Sequence, residues 1–148
     1  MPLEIRGLAP LLQVFDMAAS IHFYRDVLGL GLITTSQPGE HFHWALLRLT
    51  GAELMLNTAY EDDERPPAAD PARVAAHGDT ALYFGCEDLD GAYRHLREQG
   101  FAVSEPVVRP YGMRQLSVTD PDGYQLCLQW PASKETSEQW RTWYGIET

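Results

Sequence analysis

Apolar and polar positions along this chain run twice through the same order. One apolar segment extends from Leu8 to Phe15 and another from Thr80 to Cys86, and each stops at an aspartate, Asp16 or Asp88. Short apolar runs of this kind read as buried strands. A carboxylate at such a boundary accepts the unpaired N–H groups of a first helical turn, so Asp16 and Asp88 predict helix starts. Ile21, Tyr24 and Leu28 then share one helical face, as do Leu89, Tyr93 and Leu96. Gly29 and Gly100 suit the left-handed conformation that ends a helix. Three strand-like segments follow in each round, at about 29–36, 41–49 and 52–58, then at about 101–108, 112–119 and 124–130. Tight turns join the last two of each set, Leu49-Thr-Gly-Ala52 in the first and Asp120-Pro-Asp-Gly123 in the second. The second turn is the stronger signal, with proline preset for its place and glycine free to take positive φ.

The two rounds superimpose at an offset of 72 residues, which carries Val14 onto Cys86, Asp16 onto Asp88, Gly51 onto Gly123, Leu54 onto Leu126 and Leu56 onto Leu128. A constant offset is the mark of a duplicated supersecondary unit, here βαβββ twice. The expected fold class is α+β, in a single domain over 1–148. Module one spans about 8–58, an acidic, proline-punctuated linker about 60–79, and module two about 80–130. A C-terminal helix at about 133–144 carries Trp140, Trp143 and Tyr144. Aromatics gathered near a terminus cap a core, close over a pocket or enter a dimer interface.

Composition narrows the partners. Twenty-one acidic against eleven basic residues leave a net charge of −10, which repels phosphates and argues against nucleic acid and anionic membranes. No apolar run approaches the roughly 18 residues that span a bilayer. The segment Met1-Pro-Leu-Glu-Ile-Arg6 lacks the basic and apolar regions of a signal peptide. Cys86 and Cys127 form neither a disulfide framework nor a metal-type spacing. A cytoplasmic protein is expected.

Two segments carry a family resemblance: Val14-Phe-Asp-Met-Ala-Ala-Ser-Ile-His-Phe-Tyr-Arg-Asp-Val-Leu-Gly29 and Tyr111-Gly-Met-Arg-Gln-Leu-Ser-Val-Thr-Asp-Pro-Asp-Gly-Tyr-Gln-Leu-Cys-Leu-Gln129. They resemble the opening and closing motifs of the vicinal-oxygen-chelate superfamily, the glyoxalase, bleomycin-resistance and dioxygenase group. The resemblance implies two βαβββ modules whose mixed sheets curl into a cup around a ligand cavity, and a homodimer, with the cup completed in cis or across the dimer. It also implies metal donors at four places, a histidine seven residues before each capping aspartate and a glutamate four residues after each turn glycine. Those places hold Ala9, Ala81, Met55 and Cys127. Alanine has no donor atom, and Met and Cys are soft ligands ill suited to hard divalent ions. The expectation is therefore a bleomycin-resistance-like member that needs no metal or other cofactor and binds a small aromatic or amphipathic compound of antibiotic or toxin type. The alternative is a glyoxalase-like lyase or isomerase, or a dioxygenase-related enzyme, using non-standard cup residues.

The candidate ligand-binding residues follow from that cup. His41 and His43 flank Phe42 on an expected strand and so share one face; they hold a metal or proton-transfer site, line a polar cavity wall, or sit exposed at the strand's start. Cys127 is either a nucleophile activated by Arg114 or a histidine, or a small filler in the cavity wall. Trp44, Met55, Tyr83, Tyr111 and Trp130 are candidates for an aromatic and thioether lining, with core packing as the competing role. Asn57, two residues beyond Met55, shares its face and is placed to orient a ligand. Arg109 and Arg114 flank the Tyr111-Gly112 turn, as receptors for a carboxylate or phenolate or as solvated ion-pair partners.

Overall fold

Asp16 and Asp88 start helices as their positions dictate. In the computed structural model, which describes residues 3–60, 64–133, 138, 142 and 144, the Asp16 carboxylate accepts from the Ala19 N–H at 3.3 Å. Asp88 accepts from the Gly91 N–H at 2.9 Å. The chain divides into two compact units, Met1–Ala69 and Asp70–Thr148.

In the first unit, β1 (Leu11–Gln13) leads to α1 (Met17–Ile21), then to β2 (Gly31–Thr35), β3 (Trp44–Leu49) and β4 (Ala52–Asn57). The strand order is β1-β4-β3-β2, with β1 parallel to β4 and the remaining pairs antiparallel. Helix α1 continues as a π-helix over His22–Val27, where the Leu28 N–H reaches back five residues to the Phe23 carbonyl at 2.9 Å. Phe23 and Tyr24 are adjacent yet both wholly buried, their rings edge to face at 4.9 Å. The sheet's other buried face is Leu12, Ala45, Leu47, Leu54 and Leu56, which is the period-two half of three strands.

The second unit repeats the plan. Strands β5 (Ala81–Gly85), β6 (Val107–Val108), β7 (Met113–Thr119) and β8 (Gln125–Pro131) lie in the order β5-β8-β7-β6, with α3 (Leu89–Glu98) after β5. Leu89 and Leu96 of α3 are buried, and the helix packs on β7 and β8. The fold is α+β with tandem βαβββ modules, and neither four-stranded sheet closes on itself.

Three expectations needed adjustment. The expected strand at 101–108 shrinks to Val107–Val108 plus one bridge, Val103 to Val118, because Pro106 has no N–H to give the ladder. The first strand is shorter than Leu8–Phe15 for the same reason at Pro10, whose carbonyl still accepts from the Met55 N–H at 2.8 Å. The expected linker contains helix α2 (Pro71–His77), capped by Asp70 with proline in its first turn. His77 docks it: Nδ1 lies 2.7 Å from the Asp122 carbonyl, and the ring stacks on Tyr124 at 4.1 Å. The expected helix at 133–144 falls mostly outside the described residues, Trp140 and Trp143 included. No helix among the described residues is long and apolar enough to cross a membrane.

Gly123 closes the Asp120-Pro-Asp-Gly turn at φ +91°, and a Cβ there would collide with the Val74 carbonyl oxygen of α2. Gly29 has the same conformation, φ +90°, with nothing near. Gly29→Ala is expected to cost about 1 kcal/mol, the strain of positive φ alone, and Gly123→Ala clearly more. Thermal melts of the two variants side by side check this; equal losses would show that α2 does not press on the turn.

Candidate functional site

The second sheet sorts its residues by alternation. Leu116, Val118, Leu126 and Leu128 are buried on one face, and the opposite face of β7 and β8 is left with Gln115, Ser117, Gln125, Cys127 and Gln129. The register sets Tyr83 beside Cys127 and Cys127 beside Ser117. A cleft of about 450 Å³ opens over this face. Its floor is Cys127 with Gln115, Ser117 and Gln125; Tyr83, Tyr111 and Arg109 stand around it.

A tight hairpin sets the position of Tyr111 and Arg109. The Arg109 N–H donates to the Met113 carbonyl at 2.7 Å and the Gly112 N–H to the Arg109 carbonyl at 3.0 Å. Gly112 takes φ +88°, the left-handed residue that a three-residue hairpin loop requires. Pro110 and Tyr111 therefore form the tip. Tyr111 is 61% exposed and Tyr83 59%, high values for large aromatic side chains beside a cleft.

A line of side-chain hydrogen bonds runs across the sheet from this tip. The Tyr111 hydroxyl donates to Gln115 Oε1, Gln115 Nε2 to Gln129 Oε1, and Gln129 Nε2 to the Tyr144 hydroxyl, each at 2.9 Å. Both glutamines are buried, at 6% and 3% exposure, and buried amides are tolerable only when paired. Tyr144 also lies flat against Gly85, where a Cβ would meet its ring at 2.7 Å, and stacks on Trp130 at 5.6 Å. None of the three relay partners Gln115, Gln129 and Tyr144 was among the candidates. The sequence signal was present: polar residues at every second position through 115–117 and 125–129, interleaved with leucine and valine.

The other candidates are distributed differently. Arg114 alternates to the far face of β7, where its guanidinium binds both oxygens of Asp90 on α3, at 2.8 and 3.2 Å. That pairing holds the Asp90 carboxyl below its ordinary range. Trp130 is engaged by Tyr144. In the first unit, Trp44 pairs with Asn57 across β3 and β4, and Met55 lies on the same face. The Asn57 amide donates to Gln13 Oε1 at 3.1 Å. His41 and His43 lie ahead of β3, which begins at Trp44; His41 is exposed, Phe42 buried and His43 half-buried. Side chains add to the backbone bonds there, with Gln37 Nε2 donating to the His41 carbonyl and the His43 N–H to Ser36 Oγ, while the Thr58 N–H donates to the His43 carbonyl.

The sequence profile of the Glyoxalase/Bleomycin resistance protein/Dioxygenase superfamily matches residues 8–128. The protein belongs to this superfamily. Among solved structures, TnmS3, an antibiotic binding protein from Streptomyces sp. CB03234, is 28% identical with a TM-score of 0.60, over 88% of this chain and 99% of that one. A glyoxalase/bleomycin resistance protein from the same strain is 29% identical with a TM-score of 0.56, over 81% of this chain and 96% of that one. UcmS2 shares the fold at 20% identity and a TM-score of 0.65, over 88% of this chain and the full length of the other. A search of curated proteins returned no match.

Members of the superfamily that use a metal need donors at the positions held here by Ala9, Met55, Ala81 and Cys127. The two alanines supply none, and no three His, Cys, Asp or Glu side chains converge among the described residues. This donor set does not fit a hard divalent ion. Burial also works against a thiolate at Cys127. Burial raises its thiol pKa above the ordinary value, and the positive charge of Arg109, not Arg114, only partly offsets that. A group with raised pKa keeps its proton at neutral pH and loses it only as pH climbs past the ordinary thiol range. Iodoacetamide is therefore expected to alkylate Cys127 far more slowly at pH 7 than it alkylates free cysteine. Peptide mass mapping across a pH series checks this; rapid labelling at neutral pH would show an activated thiolate.

Proposed function

We propose that the protein binds a small, flat organic molecule in the cleft of its second unit, holding it by stacking and hydrogen bonding without a metal and without a covalent step. The observation that carries this reading is the pair Tyr83 and Tyr111, more than half exposed on the walls of a cleft of about 450 Å³. Burying such rings against a planar ligand removes apolar area from water and gains the ring–ring term of about 0.5–1.5 kcal/mol each. The volume is that of an ordinary small-molecule site. The raised thiol pKa of Cys127 supports a binding role over a nucleophilic one. The likeness to TnmS3, at 28% identity across nearly all of both chains, supports an antibiotic-like ligand.

Trp44, Met55 and Asn57 share one face of the first sheet, and we propose that face, taken by itself, as a separate ligand-contacting surface of the first unit. It also takes the protein to be a cytoplasmic homodimer, which rests on the family resemblance and on composition; sedimentation equilibrium tests the dimer.

Quenching of intrinsic fluorescence by a panel of planar aromatic compounds tests the function. Saturable binding is expected for at least one compound, weakened about two- to tenfold by Tyr83→Ala or Tyr111→Ala, the worth of one ring contact. Affinity that withstands both substitutions together, or no binding at millimolar concentration, overturns the reading. EDTA treatment is expected to leave affinity unchanged.

A further inference from the structure

Four arginines of this protein sit beside carboxylates. Arg25 pairs with Asp26, Arg48 with Glu53, Arg65 with Asp16 and Arg114 with Asp90. Arg109 makes no such pair with a described residue, and it stands at the cleft. Among the described lining residues it is the one cation, and none of them is acidic. In a chain of net charge −10, a cleft wall with a cation and no carboxylate is a local reversal of sign. Its field extends to the floor, where it acts on Cys127 against the effect of burial.

Neighbouring groups leave charge recognition to Arg109. The Tyr111 hydroxyl is committed to Gln115, whose amide is committed in turn to Gln129. Tyr111 therefore presents its ring, held in place by the relay, while Arg109 across the hairpin presents a planar fork of donors that matches a carboxylate. The hairpin bonds of Arg109, Gly112 and Met113 fix the backbone from which ring and fork project.

We propose that the ligand of this cleft is an aromatic acid, its ring seated at Tyr83 and Tyr111 and its anionic group, a carboxylate or an acidic phenol, bound by Arg109. This rests on the binding reading above and adds the charge of the ligand. Long-range repulsion from the acidic surface opposes an anion, so the selectivity comes from contact with the guanidinium rather than from steering.

A matched pair of probes, naphthoate and naphthamide, separates the two claims, since they share a ring system and differ in charge. Titration by fluorescence quenching is expected to show naphthoate bound about tenfold more tightly than naphthamide, the scale of one charge-assisted contact. Arg109→Gln is expected to bring naphthoate down to the naphthamide affinity of the same variant, and Arg109→Lys to retain part of the preference. The naphthoate preference over naphthamide on the unaltered protein, and its partial retention in R109K, decide the matter if R109Q fails to fold. Equal binding of both probes, or a preference that survives R109Q, overturns the aromatic-acid claim and leaves the binding function standing. Failure of both probes to bind overturns the claim together with the function on which it rests.

Discussion

The packing of alternate residues of β7 and β8 against α3 is the constraint from which the rest of the second unit follows. Leu116, Val118, Leu126 and Leu128 are withdrawn from water on that side, and a period of two then leaves the residues between them no choice of face. Gln115, Ser117, Gln125, Cys127 and Gln129 are on the cleft face because leucines and valines adjoin them. A one-residue slip of register would exchange the two sets, bury amides against an apolar helix and expose four aliphatic side chains. The parallel pairing of β5 with β8 adds Tyr83 to the Cys127 row, so a single apolar seam builds a polar floor with an aromatic wall.

Buried amides on such a floor must find partners, and they find them in a line. Gln115 and Gln129 satisfy each other and hand their remaining groups to Tyr111 at one end and Tyr144 at the other. The relay ties the hairpin tip to a residue far along the chain, and Gly85 makes room for it by having no side chain where the Tyr144 ring rests. Tyr144 is thus placed by three different contacts: a hydrogen bond, a stack on Trp130 and a flat approach to backbone.

The two arginines that flank the Tyr111-Gly112 turn show where reading from sequence stopped. Arg109 and Arg114 are equivalent by type and by distance from the turn. Alternation in β7 sends Arg114 to the helix side, where Asp90 of α3 takes it, while Arg109 lies in the hairpin and lines the cleft. The histidines at 41 and 43 lie outside the strand expected to carry them, which starts at Trp44, so strand geometry does not hold them. Helix α2 was hidden in what reads as a charged linker because none of its residues is buried. Its hold on the structure comes from His77 and from the turn it touches.

The sequence by itself determined the duplicated βαβββ plan, the capping aspartates, the glycine turns and the absence of donors at Ala9 and Ala81. These are local properties: a helix cap needs one carboxylate at one position, a turn needs one glycine, and alanine has no donor atom anywhere. Only the tertiary structure decided which of Arg109 and Arg114 meets the cleft, that Cys127 is buried in a way that raises its thiol pKa, and that Tyr144 completes the glutamine line. Each of those depends on strand register and on residues brought together from distant parts of the chain, and neither residue type nor spacing carries that information.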